Sequence, residues 1–447
     1  MNRLLHRTVC TVIFLLTFGM TSAYAIPSFA RQTGLDCAQC HTVFPELTQT
    51  GRYFKLHGYT MTNGEKTGPL DNLSGMVQLS YTQNANTTTG DTGAIDPAKD
   101  KKLSLDQASL FYGGKIVDDL GAFVQVTYDG TNLIGSQSTN DVAHHIVADN
   151  VDFRYVKDFT ISGNDLLVGL TLNNNPSMQD IYNTTPTWTF PYSSSANVNS
   201  PVSTLIDGGL GQKVAGLGLY AMLNDILYAE VAGYQSNRSG GPLHILRYNP
   251  LYSDTNEVHG TALYTRVALQ KNIGEHFFMI GGYTLNSKMD PDVTAPIGVY
   301  DRYDDKAIDA QYSYTNGSNM VTVMATRIRE KTTLNNSLVS SLSDNLNNTL
   351  TTTRGKISYY YDQKYGITVG AFTTDGTADA TLYGSNNGLP DSSGKIFELD
   401  YLPVQKVKIA LQYTMYDKFN GAKDNYDGLG RNAKDNNNLF LTAWIMF

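Results

Sequence analysis

The stretch KVKIALQYTMYDK, residues 406–418, alternates between two kinds of side chain along its whole length. One face carries Val407, Ile409, Leu411, Tyr413 and Met415. The other face carries Lys408, Ala410, Gln412, Thr414 and Tyr416. A period of two, with an aliphatic middle and aromatic residues near an end, is typical of a transmembrane β-strand between lipid and a polar lumen. The stretch therefore predicts one strand of a membrane β-barrel.

The same pattern recurs from residue 74 to the end of the chain, in about sixteen segments of roughly ten residues. The predicted strands are residues 74–84, 103–115, 121–130, 146–157, 164–173, 211–222, 225–236, 259–270, 275–286, 305–315, 319–330, 353–362, 366–375, 395–402, 406–417 and 437–447. The links between them alternate between short turns and long loops rich in Asn, Asp, Ser, Thr and Gly. Outer-membrane barrels have short periplasmic turns and long outer loops, so both chain ends are expected on the periplasmic side.

The last predicted strand, LFLTAWIMF, ends the chain on the aromatic residue Phe447. A soluble β-sandwich is the alternative fold, but a sandwich does not require the strict alternation of short and long links. We therefore expect an all-β fold, an antiparallel outer-membrane barrel of about sixteen strands over residues 74–447. The strand register places these charged residues on the lumen face: Asp106, Asp152, Arg154, Glu230, Arg266, Asp309, Arg354, Lys356, Glu398, Asp400 and Lys408.

Residues 1–25 have the pattern of a signal peptide, with the basic residues Arg3 and Arg7, an apolar run and the small-residue site Ala23-Tyr24-Ala25. A membrane anchor is the alternative interpretation, but the apolar run is short for one. Cleavage after residue 25 would remove two of the 33 basic residues and none of the 41 acidic ones, giving 31 − 41 = −10. This acidity, without a basic cluster, argues against a nucleic-acid partner.

Cys37, Cys40 and His41 have the C-x-x-C-H spacing of a c-type haem attachment site. The two sulfurs would bond one haem c covalently, and His41 would ligate its iron. A zinc site or a redox C-x-x-C pair is the alternative, although a closed zinc site needs further ligands nearby. Residues 26–73 are marginal for an independent core, so we expect this segment to dock at or in the barrel lumen.

The ligand on the far side of the iron is left open by the sequence. His57 and Met61 follow the motif in FKLHGYTMTNG, and either could ligate the metal. A methionine would raise the haem potential relative to a histidine. A residue of the barrel, or an open coordination position, is the third possibility.

Two stretches resemble a known family. IPSFARQTGLDCAQCHTVFPELTQTGRYFKLHGYT, residues 26–60, and NNNPSMQDIYNTTPTWTFPY, residues 173–192, are similar to the fused monohaem cytochrome–porins, the outer-membrane iron oxidases of iron-oxidising bacteria. The resemblance implies an Fe(II)-oxidising enzyme in which Cys37 and Cys40 hold the haem and His41 serves the reaction. It implies extracellular Fe(II) as donor, a periplasmic cytochrome or cupredoxin as acceptor, and a barrel surrounded by outer-membrane lipid.

Two other functions fit the same residues. One is a diffusion or solute-selective porin plugged by its haem segment, and the other is an outward electron conduit that reduces extracellular Fe(III). Nucleotide-binding and hydrolase motifs such as G-x-x-x-x-G-K-[ST], G-x-S-x-G and H-E-x-x-H do not occur in the sequence. The direction of electron flow depends on the haem potential, which the sequence does not define.

Overall fold

The computed structural model describes residues 27–64, 68, 70–87, 95, 100–129, 146–184, 197–236, 256–291 and 298–447. The signal-peptide prediction for residues 1–25 lies outside these ranges, as do residues 185–192 of the second family-like stretch. No described helix is both long enough and apolar enough to cross a membrane.

The described chain is dominated by long β-strands. They are β1 Leu73–Asn84, β2 Leu103–Val117, β3 Leu120–Asp129, β4 Ile146–Ile161, β5 Asn164–Asn173, β6 Val214–Leu223, β7 Leu227–Ser236, β8 Glu257–Val258, β9 Ala262–Ile273, β10 His276–Asp290, β11 Asp301–Asn316, β12 Asn319–Leu334, β13 Asn347–Tyr361, β14 Tyr365–Gly376, β15 Ser392–Val404, β16 Val407–Lys418 and β17 Asn438–Met446. Because β8 has only two residues, sixteen long strands form the wall, as the alternating pattern predicts.

These strands form one closed antiparallel barrel. Each long strand pairs with its neighbours in the chain, and β1 pairs with both β2 and β17, with Met76 opposite Met446. Between consecutive long strands, seven links, such as residues 162–163 and 317–318, have two or three residues, and they alternate with the long links. The predicted fold class, strand number and alternation of links are therefore confirmed.

The predicted register is also confirmed. All eleven charged residues assigned to the lumen face are buried or half-buried. Aliphatic side chains on the opposite face are exposed, as Ile280 and Ile308 are at 65 % each. In an outer-membrane barrel this apolar face contacts lipid, and a charge there would cost about 2–4 kcal/mol at mid-depth.

The N-terminal segment, residues 27–64, lies inside the barrel at the end of the short turns, and we call it the plug. It contains α1 Pro27–Thr33, α2 Cys37–Cys40 and α3 Gln49–Leu56. The backbone N–H of Cys37 donates to the side chain of Gln405, in the turn between β15 and β16, at 3.2 Å. The expected docking of this segment in the lumen mouth is thus observed for the polypeptide.

A second segment also enters the lumen, although the strand pattern does not predict it. Residues 174–184 and 197–213 connect β5 and β6, and we call them the inward segment. It contains α4 Pro176–Gln179 and a 3₁₀ turn, Leu205–Asp207. Longer loops elsewhere contain α5 Asn335–Val339, α6 Ala380–Tyr383 and a 3₁₀ turn, Ala433–Asn436.

Candidate functional site

The C-x-x-C-H motif borders an apolar cavity between the plug and the barrel wall. Cys40 and His41 line the cavity on the plug side. Half of the remaining lining is aromatic and thioether side chains: Phe29, Phe44, Phe54, Tyr59, Met76, Phe111, Phe123, Met178, Trp444 and Met446. The other half includes small and aliphatic residues and a few polar ones, such as Lys55 and Gln125. Most of the aromatic and thioether residues also belong to one buried core cluster, which includes Cys37. Cofactor pockets are typically apolar with a few placed polar groups, and this cavity has that composition.

His41 is held in the orientation that a metal ligand needs. Its Nδ1 lies 3.1 Å from the carbonyl oxygen of Glu46, so Nδ1–H donates to that oxygen and leaves the Nε2 lone pair free. The ring also contacts Phe44, with the ring centroids 4.8 Å apart. Burial lowers the pKa of His41 to about 4, so the imidazole stays neutral near pH 7, the form that binds a metal.

The two cysteines of the motif are close to His41 and carry no disulfide. The Cys37 side chain is buried, and burial raises the pKa of its thiol to about 12. Burial likewise raises the pKa of Cys40 to about 11. The site thus combines a buried thiol, a half-buried thiol and a neutral imidazole beside an aromatic wall, and these are residue types that can hold a c-type haem.

Close packing of α3 against α2 fixes the motif. A Cβ on Gly51, in α3, would lie 2.1 Å from the carbonyl oxygen of Cys40, so only glycine allows this approach. Thr48 caps α3, because its hydroxyl accepts from the Gly51 N–H at 3.2 Å. The Thr48 N–H in turn donates to the Cys40 carbonyl at 3.0 Å.

The two candidate distal ligands lie in different places. His57 borders a separate cavity at the barrel rim, where its Nε2 is 3.8 Å from Asp158 and its ring centroid is 3.7 Å from that of Tyr53. Met61 packs against the core cluster around the motif but is not among the residues that line its cavity. His57 is thus not brought together with His41, whereas Met61 packs on the core cluster that includes Cys37. Among the described residues, no group of three or more His, Cys, Asp or Glu could hold a metal ion.

Polar contacts join the plug to the wall on one side of the lumen through a buried trio. The Tyr59 hydroxyl donates to Asp152 at 2.7 Å, and Arg154 donates to the same carboxylate oxygen at 2.7 Å. All three side chains are buried. The plug is therefore held by hydrogen bonds to charged groups, which are stronger than neutral ones.

Two further polar contacts hold the plug. The Lys55 ammonium donates to the carbonyl oxygen of Asp180 at 2.8 Å, and so joins the plug to the inward segment. Glu46 forms an ion pair with Lys356 on β13. Burial lowers the pKa of Lys55 to about 8.

Several residues of the cavity were missed by the sequence reasoning, although the strand register contains a signal for them. Trp444 and Met446 share the inward face of β17 with Phe440 and Thr442, and Phe111 and Phe123 occupy the inward faces of β2 and β3. Large apolar side chains on a lumen face that is otherwise polar indicate an apolar occupant at that level. Met178 carries no such signal, because it lies in the inward segment.

Comparison with known proteins supports the barrel alone. No family model matches the chain, and no curated protein matches it. The chain is similar to the solved outer-membrane channel DcaP of Acinetobacter baumannii, at 13 % identity and a TM-score of 0.44 over 84 % of this chain and 96 % of that one. It is also similar to Salmonella typhi OmpF in complex with daunomycin, at 14 % identity and a TM-score of 0.42 over 84 % of this chain and 97 % of that one. The anion-selective porin of Comamonas acidovorans is similar at 12 % identity and a TM-score of 0.41 over 84 % of this chain and 98 % of that one.

These comparisons correct one expectation from the sequence. The expectation of an Fe(II)-oxidising enzyme is wrong, because the matched structures are outer-membrane channels and porins rather than oxidoreductases. The fold is that of an outer-membrane barrel of the porin type. These comparisons do not concern the plug, so its role must be argued from its own residues.

Proposed function

We propose that this chain is a porin-type barrel of a Gram-negative outer membrane whose lumen is closed by a plug that carries one covalent haem c. The observation that supports the proposal is the orientation of His41, with Nδ1–H donating to the Glu46 carbonyl and Nε2 free beside an apolar cavity. In this proposal Cys37 and Cys40 hold the haem by thioether bonds and His41 binds its iron. The haem, when bound, supplies one-electron exchange.

The residues around the cavity have two further tasks in this proposal. Aromatic side chains such as Phe44, Phe123 and Trp444 exclude water, which keeps the imidazole of His41 neutral. The ion pair of Glu46 with Lys356 and the hydrogen bond of Tyr59 to Asp152 keep the plug seated in the mouth, so that solutes do not pass freely. Because the short turns of outer-membrane barrels face the periplasm, the plug and both chain ends belong on that side.

A second candidate function is an electron conduit, in which the haem exchanges electrons with a soluble periplasmic carrier such as a cytochrome or a cupredoxin. The exposure of α2 favours this function. Asp36 and Gln39 are exposed, and Cys40 is half-buried, so one edge of the motif faces the open mouth of the barrel. A carrier docked at that mouth would approach the haem directly, and the haem potential would determine the direction of flow.

Covalent haem attachment is the first prediction to test. The chain should be produced with a c-type haem maturation system, purified in detergent, denatured and stained for haem in a gel. We expect staining of the wild type, and loss of staining in the double variant Cys37→Ala/Cys40→Ala, which lacks both thioether positions.

The matched control is His57→Ala, which changes a plug residue that borders a different cavity and should keep the stain. Heat-dependent gel mobility shows in every variant whether the barrel has folded. A folded wild-type barrel without covalent haem, under conditions that mature another c-type cytochrome, would refute the proposal.

A further inference from the structure

The inward segment places one thioether in the cavity of His41. Met178, in α4, is buried at 6 % exposure and lines the cavity together with Cys40 and His41. Methionine sulfur is a ligand of haem iron in many c-type cytochromes. A ligand role for Met178 rests on the proposed function, because it concerns how the coordination of a haem held by Cys37 and Cys40 is completed.

The position of Met178 is fixed by backbone hydrogen bonds. Asn175 caps the short helix, since its side chain accepts from the Ser177 N–H at 3.0 Å and its carbonyl accepts from the Met178 N–H at 3.0 Å. Arg154 of the wall donates to the carbonyls of Met178 at 3.3 Å and Gln179 at 3.0 Å. Irregular backbone inside a barrel needs such partners, and here they hold one apolar side chain at the cavity.

The other methionines of the cavity belong to the wall. Met76 and Met446 are directly opposite each other on β1 and β17. The Met76 sulfur lies 3.6 Å from Nε2 of Gln78, on its own strand, and accepts a weak hydrogen bond there. These two side chains therefore line the cavity from the barrel wall, whereas Met178 lines it from the inward segment.

Ligation by Met178 would also connect the two segments that fill the lumen. The plug and the inward segment already meet where Lys55 donates to the Asp180 carbonyl, two residues beyond Met178. Asn183 of the inward segment donates to the Pro45 carbonyl of the plug at 3.0 Å. The contacts on either side of the cavity thus bring Met178 to the motif.

We propose that the sulfur of Met178 is the second axial ligand of the haem iron, paired with Nε2 of His41. The barrel, through its inward segment, then completes a site that the plug alone supplies only in part. A thioether ligand would set the haem potential higher than a second imidazole would.

Absorption spectroscopy of the oxidised holoprotein tests this proposal. A ferric haem with a thioether ligand has a weak charge-transfer band in the far-red, and we expect that band in the wild type. Met178→Leu conserves volume and should lose the band and lower the haem potential, while the haem stain and the folded-barrel mobility remain. Met178→His should give a spectrum of two imidazole ligands instead.

Matched controls are Met446→Leu in the cavity wall and Met61→Leu in the plug, both of which should keep the band. A haem-stained wild type without the band, or a band that persists in Met178→Leu, would overturn the assignment of Met178. Loss of the band in either control, with Met178→Leu unchanged, would move the ligand to that residue. A wild type that carries no haem refutes the proposed function itself, so the two failures are distinguishable.

Discussion

Buried charged residues of the barrel wall anchor the segments that lie in the lumen. Arg154 and Arg266 are both fully buried, and each has a carboxylate partner on the wall, Asp152 and Asp309 respectively. Each guanidinium also lies near an aromatic ring, with Arg154 5.3 Å from the ring centroid of Tyr220. A buried charge is tolerated only when it is paired and hydrogen-bonded. These arginines therefore favour one arrangement of the plug and the inward segment that they contact.

Lys55 gives a prediction of pH dependence. Burial lowers the pKa of Lys55 to about 8, against 10.5 in the unfolded chain. Between these values the unfolded chain binds more protons than the folded one, so the stability of the folded protein rises with pH over this window. From pH 8 to pH 9.5 we expect a gain in the free energy of unfolding of up to about 2 kcal/mol from this group.

The measurement is urea unfolding of the protein in detergent at a series of pH values. Lys55→Met conserves the aliphatic stem and should remove this rise, so the difference in slope between the two proteins isolates the lysine. Lys395→Met, at a surface lysine whose side chain is 56 % exposed, is the control and should keep the wild-type slope. Equal slopes for wild type and Lys55→Met would show that Lys55 does not titrate in this window.

At the scale of residues, much of the site could be predicted from the sequence. The spacing of Cys37, Cys40 and His41 is local, and a period of two is enough to place Asp152 or Arg154 on the lumen face. The partners were not predictable, because Tyr59 and Asp152 are 93 residues apart and meet only once the plug is docked. The position of His57 away from His41 depends on the same docking.

At the scale of elements, the plug depends on close approach to the wall. The β2–β3 hairpin passes so near the plug that a Cβ on Gly121 would lie 2.1 Å from the carbonyl oxygen of Gly58. Gly58 has a φ of +65°, in the left-handed region that favours glycine, so this corner of the plug is fixed from both sides. A barrel strand and a plug turn are therefore matched to each other at this point.

Gly121→Ala should displace the plug without preventing barrel assembly. Backbone cannot move aside as a flexible side chain does, so we expect a loss of about 1–3 kcal/mol, as for other overpacked sites. Faster cleavage of residues 27–64 by an added protease would report the displacement, with the folded-barrel mobility retained. Gly355→Ala is the matched control, since its Cβ would meet nothing nearer than the Met324 carbonyl at 3.7 Å. Equal cleavage rates for the two variants would contradict the prediction.

The elements themselves show where sequence periodicity stops being informative. All sixteen long strands were predicted, because a period of two persists over ten or more residues in each. The two-residue strand Glu257–Val258 is too short to have a period. The path of the inward segment was also not predictable, because it is held by single contacts, such as the Leu205 N–H donating to Glu330 at 2.6 Å, rather than by a repeating pattern.

At the scale of the whole molecule, the lumen is filled at two levels. The plug occupies the mouth near the short turns, and the inward segment crosses the lumen above it. Asp305 and Glu330, directly opposite each other on β11 and β12, accept the backbone N–H groups of Ile206 and Leu205. A barrel of sixteen strands is wide enough for an aqueous channel, so its closure depends on these two segments and not on the wall.

Ion conductance in planar bilayers tests this arrangement. We expect the wild type to conduct far less than an open barrel of sixteen strands. The plug and the inward segment obstruct the lumen in series, so the narrower of the two limits the ion current. For the same reason, Gly121→Ala alone should raise the conductance little. The double variant Asp305→Ala/Glu330→Ala, which removes the acceptors of the Ile206 and Leu205 N–H groups, should also raise it little. The triple variant should conduct severalfold more than either, with Gly355→Ala matching the wild type. A wild type that already conducts as an open porin would show that the plug does not close the lumen, and would support a diffusion porin over a closed barrel that carries a haem.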